Sequence, residues 1–245
     1  MTTLSGLIIF TDGSSKGNPG PGGFGAVSID TINNIVVEYG SGRKLTTNNE
    51  MELMALIKAL QGSIGYKGNV HIYADSQYVY NGATKWIYGW RSNGWVKKDG
   101  EAISHEKLWR TLSDIIDKYR GNKCTFVWHH VPSHMGIAGN ERVDTIATAF
   151  ADGAKVKLYN GSLQKYKYQE VLDIPSDEIL IRARKEKRAR SSGGSAFYIS
   201  VVNGKLEKHT IWALCEKRVR GVKGAKYRKV ASDEEMSRVL KQWGL

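Results

Sequence analysis

This sequence predicts an α/β fold with a five-stranded mixed sheet flanked by helices, followed by a small C-terminal α+β unit. Three observations lead there. Short apolar segments with brief connections come first, strand-like and helical stretches then alternate, and a second set of elements follows an interval without periodicity. Neighbouring strands joined by short connections form an antiparallel meander, and the alternation that follows makes the sheet mixed, with helices on its faces. The 245 residues, 41% of them hydrophobic and seven of them Trp, suffice for one core and a smaller satellite.

The meander consists of Leu7 to Phe10, Phe24 to Ile29 and Ile35 to Tyr39, with the turn-rich Asn18-Pro19-Gly20-Pro21-Gly22-Gly23 in its first connection. Thr47-x-x-Glu50 has the form of a capping box, so a helix starts there and runs through Met51 to Leu60, apolar on nearly every face. Val70 to Ala74 is the fourth strand, and Ser76 opens another helical stretch. After a Trp-rich segment, Leu108, Leu112, Ile115, Ile116 and Tyr119 fall at helical spacing. Cys124 to Val131 is the fifth strand, and Asn140 to Asp152 is helical.

The expected catalytic domain is therefore 1–155. Residues 156–194 lack a clear period and read as a basic linker ending in Ser191-Ser192-Gly193-Gly194-Ser195. Within it Arg182 to Arg190 holds six basic residues and one Glu, which is either a solvated helix face or a nucleic-acid or import tract. The last unit, 195–245, has a strand at Phe197 to Val202, a turn at Asn203-Gly204, a helix over Thr210 to Val219, a strand around Tyr227 to Val230 and a helix from Ser232.

A formal net charge of +12 suits a polyanionic partner, because cations that neutralise phosphates release condensed counterions. The charge is uneven: Lys and Arg outnumber Asp and Glu by 16 to 14 in residues 1–155 but by 20 to 10 in residues 156–245. A near-neutral front with an acidic site suits a cation-dependent enzyme, and a basic back suits a tether. Two cysteines, Cys124 and Cys215, support neither a zinc ribbon nor a disulfide framework. With no apolar run of transmembrane length and a strand starting at Leu7, the expectation is a cytoplasmic protein without leader or membrane span, or a nuclear one if residues 182–190 act as an import tract.

Four carboxylates carry the chemistry. Asp12 follows the first strand, Asp75 closes the fourth, Glu52 lies in the first helix and Asp144 in the last helix of the catalytic domain, so adjacent central strands can bring them together. Glu52 shares a helical face with Ala55, Leu56 and Ala59, where an unpaired carboxylate costs several kcal/mol. Hard oxygen ligands point to Mg²⁺ or Mn²⁺ rather than zinc, and a pair of such ions can serve an in-line phosphoryl displacement. An Asp at a strand end taken alone is more often a turn or helix cap.

Phe10-Thr11-Asp12-Gly13-Ser14, Gly17-Asn18-Pro19-Gly20, Thr46-Thr47-Asn48-Asn49, Met51-Glu52-Leu53, Asp75-Ser76-Gln77 and Gly139-Asn140-Glu141-Arg142-x-Asp144 occur in one order, and together they resemble the type 1 ribonuclease H family over roughly residues 5–152. The resemblance implies a ribonuclease H-like fold and an endonuclease that cuts the RNA strand of RNA/DNA hybrids, leaving 3′-hydroxyl and 5′-phosphate ends. It implies Asp12, Glu52, Asp75 and Asp144 as ligands of two Mg²⁺ ions, with Mn²⁺ as a substitute, and His134 as the side chain that assists proton transfer or product departure. By the same resemblance Gly13, Asn18, Asn49 and Gln77 line the minor groove, where 2′-hydroxyls distinguish RNA, and Thr47 and Asn48 lie near a DNA phosphate. Glu50 departs from the family's frequent basic or neutral residue and is either a capping partner of Thr47 or a further negative charge near the metals. Trp86, Trp90, Arg91, Trp95, Lys97 and Lys98 resemble the basic protrusion of bacterial members. The Trp residues there either stack on the hybrid or pack the helices.

Phe197-Tyr198, Trp212-x-x-Cys215, Val219-x-Gly221-Val222-Lys223-Gly224-Ala225-Lys226-Tyr227-Arg228-Lys229-Val230 and Ser232-x-Glu234-Glu235 resemble the hybrid-binding, or viroplasmin-like, domain. That resemblance implies Trp212 and Tyr227 against DNA sugars and Arg228 and Lys229 on the backbone. In the family's best-known members this domain precedes the nuclease, whereas here it follows. The leading expectation is thus a monomeric hybrid nuclease with a tether; the alternatives are another nuclease or integrase on the same fold, and a hybrid-binding protein whose acidic site has decayed.

Overall fold

The computed structural model describes residues 5–132, 135–176, 178–182 and 197–245. The chain divides into two compact units, one made of Met1–His130 with Ala138–Asp173 and the other of Ile174–Leu245 with Val131–Ile137.

In the first unit the strands are β1 (Leu7–Ser15), β2 (Gly20–Asp30), β3 (Ile35–Thr46), β4 (Asn69–Ala74), β5 (Thr125–His130) and β6 (Asn160–Ser162). They form a six-stranded sheet in the order β5-β4-β1-β2-β3-β6. The five expected strands are present, and the sixth is a correction: three residues, Asn160, Gly161 and Ser162, pair antiparallel with Val37, Val36 and Ile35 at the sheet's edge. Nothing in so short and polar a run signals a strand; the open edge of β3 recruits it. The stretch 156–173 is therefore not linker, since Tyr166 and Val171 are fully buried within this unit. The Ser191 to Ser195 run and residues 183–190 of the basic tract lie outside the described residues.

β1 and β2 also run further than their apolar cores. The register pairs Asp12 with Gly25, Gly13 with Phe24 and Ser15 with Gly22, so Asp12 stands inside β1 rather than after it. Parallel pairing of β1 with β4 places Thr11 opposite Ala74 and makes these two strands interior neighbours in the sheet.

Helix α1 (Asn48–Gly62) covers one face. Thr47 caps it, its Oγ1 accepting from the Glu50 N–H at 3.2 Å. Alongside it, α2 (Gln77–Asn81) continues through a π-helical turn at Gly82–Trp86 into α3 (Ile87–Ser92), and α4 (Glu106–Gly121) buries Trp109, Leu112, Ile116 and Tyr119. At Gly82 a Cβ would stand 2.0 Å from the Trp109 ring, so only glycine lets the two helices approach. The opposite face belongs to α5 (Ala138–Ala151), which lies on β1, β2 and β3.

The second unit holds a three-stranded antiparallel sheet of β7 (Phe197–Val202), β8 (Lys205–His209) and β9 (Lys226–Val230), in the order β8-β7-β9, with helices α6 (Trp212–Val219) and α7 (Asp233–Gln242). β8 was not among the expected strands: Lys205 to Lys208 are exposed on an edge and carry no apolar alternation. Ile199, Val230 and Val239 form its buried core, flanked by Phe197, Met236, Leu240 and Trp243. Among the described residues no helix is long and apolar enough to cross a membrane.

Candidate active site

Asp12 on β1 and Asp75 just beyond β4 stand side by side because their strands are parallel neighbours. Glu52 reaches them from α1 because Gly13 has no side chain: a Cβ there would lie 2.3 Å from the Glu52 amide nitrogen. Each of the three offers a carboxylate oxygen, and these oxygens all lie within 4.8 Å of one another. Asp144 on α5 lies close enough to Asp12 for its charge to raise that carboxyl, but it is not one of the three residues whose carboxylate oxygens converge.

Burial and crowding set the electrostatics. Asp12 is 8% exposed and Glu52 is 4% exposed. Burial, then the charges of Asp75 and Asp144, push the Asp12 carboxyl up to about 8, against the opposing donation from the Gly13 N–H at 2.8 Å. Burial, then Asp12 and Asp75, push Glu52 well above the ordinary carboxylate value, while Gly13 and Asn48 act in the other direction. Glu52 Oε2 is buried and accepts no hydrogen bond. A buried carboxylate oxygen without a donor, inside a cluster of hard oxygen atoms, is chemically matched to a divalent cation. Asp12, Glu52 and Asp75 would hold such an ion, with Asp144 adjacent.

The predicted rim residues are placed unequally. Asn18 Oδ1 accepts from the Asn48 N–H at 3.4 Å, and Asn48 Nδ2 donates to Glu52 Oε1 at 3.4 Å, so the loop before β2 is tied to the start of α1 and to the cluster. Asn18, Asn48, Asn49 and Gln77 are exposed. The Glu50 carboxylate does not close a capping box: it accepts from Arg43 Nη1 and, at 2.8 Å, from Thr46 Oγ1. That pairing offsets its charge locally. Trp90 packs on the core, 5.3 Å from the Trp109 ring, whereas Trp86, in ring contact with Trp90 and Tyr78, is 39% exposed. His134 lies outside the described residues.

Within the second unit, Tyr198, Trp212 and Tyr227 form a row with ring centroids 5.5 and 5.2 Å apart, and Lys229 Nζ lies 5.9 Å from the Tyr198 ring. Strand alternation separates the expected cationic pair. Lys229 shares the aromatic row's face, but Arg228 points the other way, its Nη1 donating to Gln242 Oε1 on α7 at 3.5 Å.

Two polar clusters were not anticipated. His71 and His129 stack across β4 and β5, with His71 Nδ1 3.2 Å from His129 Nε2. Glu38 on β3 is buried and receives the Arg142 guanidinium in a two-point contact of 2.7 and 2.8 Å. The charged residue of an alternating strand was the available signal for Glu38, but only tertiary pairing shows its partner.

Residues 5–152 match the family described as RNase H. The chain is 42% identical over 144 residues to the ribonuclease H of Acidovorax sp. strain JS42, covering 59% of this chain and 93% of that relative. It is 44% identical over 140 residues to the ribonuclease H of Novosphingobium aromaticivorans, covering 57% and 92%. Among solved structures, LC9-RNase H1, described as a type 1 RNase H with the type 2 active-site motif, superposes with a TM-score of 0.53 at 26% identity, over 73% of this chain and 86% of that one. The foamy viral protease-reverse transcriptase, solved with an RNA/DNA hybrid, shares the fold at a TM-score of 0.51 and 22% identity, over 61% of this chain and 20% of that much longer one. The matched residues are those of β1 to α5, the elements that assemble the carboxylates, and the chain belongs to the type 1 RNase H family and is a ribonuclease H.

Proposed function

We propose that this ribonuclease H hydrolyses the RNA strand of RNA/DNA hybrids internally, with Asp12, Glu52, Asp75 and Asp144 holding two Mg²⁺ ions and the C-terminal unit acting as a nucleic-acid tether. The observation that carries the reading is the convergence of Asp12, Glu52 and Asp75 around the buried, donorless Glu52 Oε2. Bound there, two cations supply activation of the attacking water and stabilisation of the leaving oxygen, which leaves 3′-hydroxyl and 5′-phosphate ends. Burial and mutual repulsion disfavour the ionised forms of Asp12 and Glu52, and a bound cation would offset both and favour ionisation. The exposed side chains of Asn18, Asn49 and Gln77 can both donate and accept, as discrimination of 2′-hydroxyls requires, and are assigned that role. His134 is assigned proton transfer or product departure. The protein acts as a monomer in the cytoplasm.

The test is an end-labelled RNA/DNA hybrid and the same RNA in an RNA/RNA duplex, each with and without Mg²⁺. Cutting of the hybrid's RNA strand alone, and only with Mg²⁺, is the expected result. Equal cutting of both duplexes, or cutting without a divalent cation, overturns the proposal.

The tether rests on the Tyr198, Trp212 and Tyr227 row beside Lys229, a stacking surface next to a cation. Replacing Trp212→Ala is expected to raise KM for hybrids of several tens of base pairs about tenfold, the worth of one stacked base, with kcat unchanged. An unchanged KM on long hybrids would remove the tether from the proposal.

A further inference from the structure

We infer that Glu38, Arg142 and the segment from Tyr159 to Tyr168 form a positioning device that sets the rotation of α5 and so the reach of Asp144 toward Asp12. The inference rests on the reading of Asp144 as part of the cation-holding cluster. Glu38 Oε1 accepts from Arg142 Nε at 2.7 Å and from the Tyr166 hydroxyl at 2.7 Å; Oε2 accepts from Arg142 Nη2 at 2.8 Å and from the Tyr159 N–H at 2.9 Å. The Arg142 guanidinium also lies 5.0 Å from the Tyr168 ring. Burial alone would raise the Glu38 carboxyl, and the donors from Arg142, Tyr166 and Tyr159 bring it below the ordinary value.

The geometry of α5 explains why such a device is needed. Arg142 and Asp144 are two residues apart, about 200° around a helix of 3.6 residues per turn, so the helix presents one to β3 and the other to β1. Beneath it the Phe10 ring of β1 packs against Gly139 at the helix start, but β2 and β3 are bare at Gly23, Gly25, Gly40 and Gly42. A Cβ at Gly25 would lie 2.3 Å from the Val143 carbonyl oxygen, and one at Gly23 would lie 2.5 Å from that of Ala147. Glycines let the helix come close, but they offer no side chains to interlock with it. A planar, two-point Arg–carboxylate contact resists rotation in a way that apolar contact does not. Buried ion pairs contribute little net stability and are better suited to fixing one arrangement.

Three of the groups that complete the device, Tyr159, Tyr166 and Tyr168, follow residue 152, where the family match ends. β6 fastens them to β3, and the Glu38 N–H donates to the Tyr159 carbonyl at 2.8 Å. This segment thus belongs to the catalytic machinery of this protein as a support, not as a spacer.

The experiment compares wild type, Glu38→Gln and the double variant Glu38→Met with Arg142→Met, each as the full chain. Mg²⁺ affinity is read by titration of amide NMR shifts, kcat and KM on a hybrid, and melting temperature in the absence of cations. Positioning predicts that Glu38→Gln lowers Mg²⁺ affinity and kcat by about tenfold each, the usual effect of removing an outer support, while KM for the hybrid changes less than about twofold. The double Met variant, with its apolar replacement, recovers melting temperature without recovering Mg²⁺ affinity or kcat. A Glu38→Gln protein with wild-type affinity and kcat, or a double variant that recovers both with its stability, overturns the inference. If Glu38→Gln does not fold, Tyr166→Phe decides: it keeps the ring and the ion pair, and an unchanged Mg²⁺ affinity and kcat there overturn the role of the segment. A wild type that neither binds Mg²⁺ nor cuts the hybrid refutes the cluster's proposed function itself, which the positioning comparison alone does not.

Discussion

Asp12→Asn reduces hybrid cleavage by about a thousandfold or more, the worth of roughly 4 kcal/mol of lost transition-state stabilisation, and makes the cation-free protein more stable at alkaline pH. The two effects have one cause. Asp12 is held among Glu52, Asp75 and Asp144, so its carboxyl is pushed from 3.8 up to about 8, by burial first and by Asp75 and Asp144 next. Between these values the folded chain keeps a proton that the unfolded chain releases. Stability from this group is therefore full below pH ~4, declines as pH rises toward about 8, and is lost above it. Glu52, raised in the same direction, steepens the decline. Asparagine preserves the shape and removes the titration, so the variant gains on the order of a few kcal/mol over wild type at pH 9. Denaturant unfolding at pH 5 and pH 9 in chelator measures it. Addition of Mg²⁺ then reverses the order by raising the wild-type melting temperature through preferential binding to the folded state, with little effect on Asp12→Asn. Equal stability of the two proteins at pH 9 would show that the carboxylates are not in conflict.

Gly13→Ala is expected to lower the cleavage rate by about a hundredfold, the cost of displacing a catalytic group by around 1 Å, and to destabilise the fold by about 1–3 kcal/mol. Its Cβ would lie 2.3 Å from the Glu52 nitrogen and 2.7 Å from the Met51 carbonyl carbon. Both are backbone atoms of α1, so no side-chain rotation relieves the clash and the helix must move. Moving it carries Glu52 away from Asp12 and Asp75. The Gly13 N–H that donates to Asp12 Oδ1 is disturbed as well. Single-turnover cleavage and thermal melting check both parts, and full activity at an unchanged melting temperature would contradict the close approach of β1 and α1.

The clustered carboxylates were legible one motif at a time, because each sits in a local pattern that chemistry constrains: an Asp following the first apolar strand, a Glu on an apolar helix, an Asp closing the fourth strand. Their meeting was not. It depends on β1 and β4 lying side by side in parallel, and spacing along the chain does not report which strands become neighbours. The extent of the strands was also hidden. Gly13, Ser14 and Ser15 and the glycines of β2 have low strand propensity, yet they pair in register because α1 and α5 must approach their backbones closely.

Residues 156–173 show the same limit from the other side. Their polar, aperiodic sequence reads as a linker, but Tyr159 and Tyr166 find partners only once Glu38 and Arg142 are brought together, 104 positions apart in the chain. Arg228 and Lys229 read as one basic pair until strand alternation turns them to opposite faces. The sequence by itself determined the order of the elements, the acidic residues and the chemistry they favour, since these follow from local periodicity and side-chain type. Tertiary structure alone decided which carboxylates crowd together, which strand closes the edge and what holds α5 in rotation, because those depend on long-range pairing, and on the burial that leaves a charged group no water to fall back on.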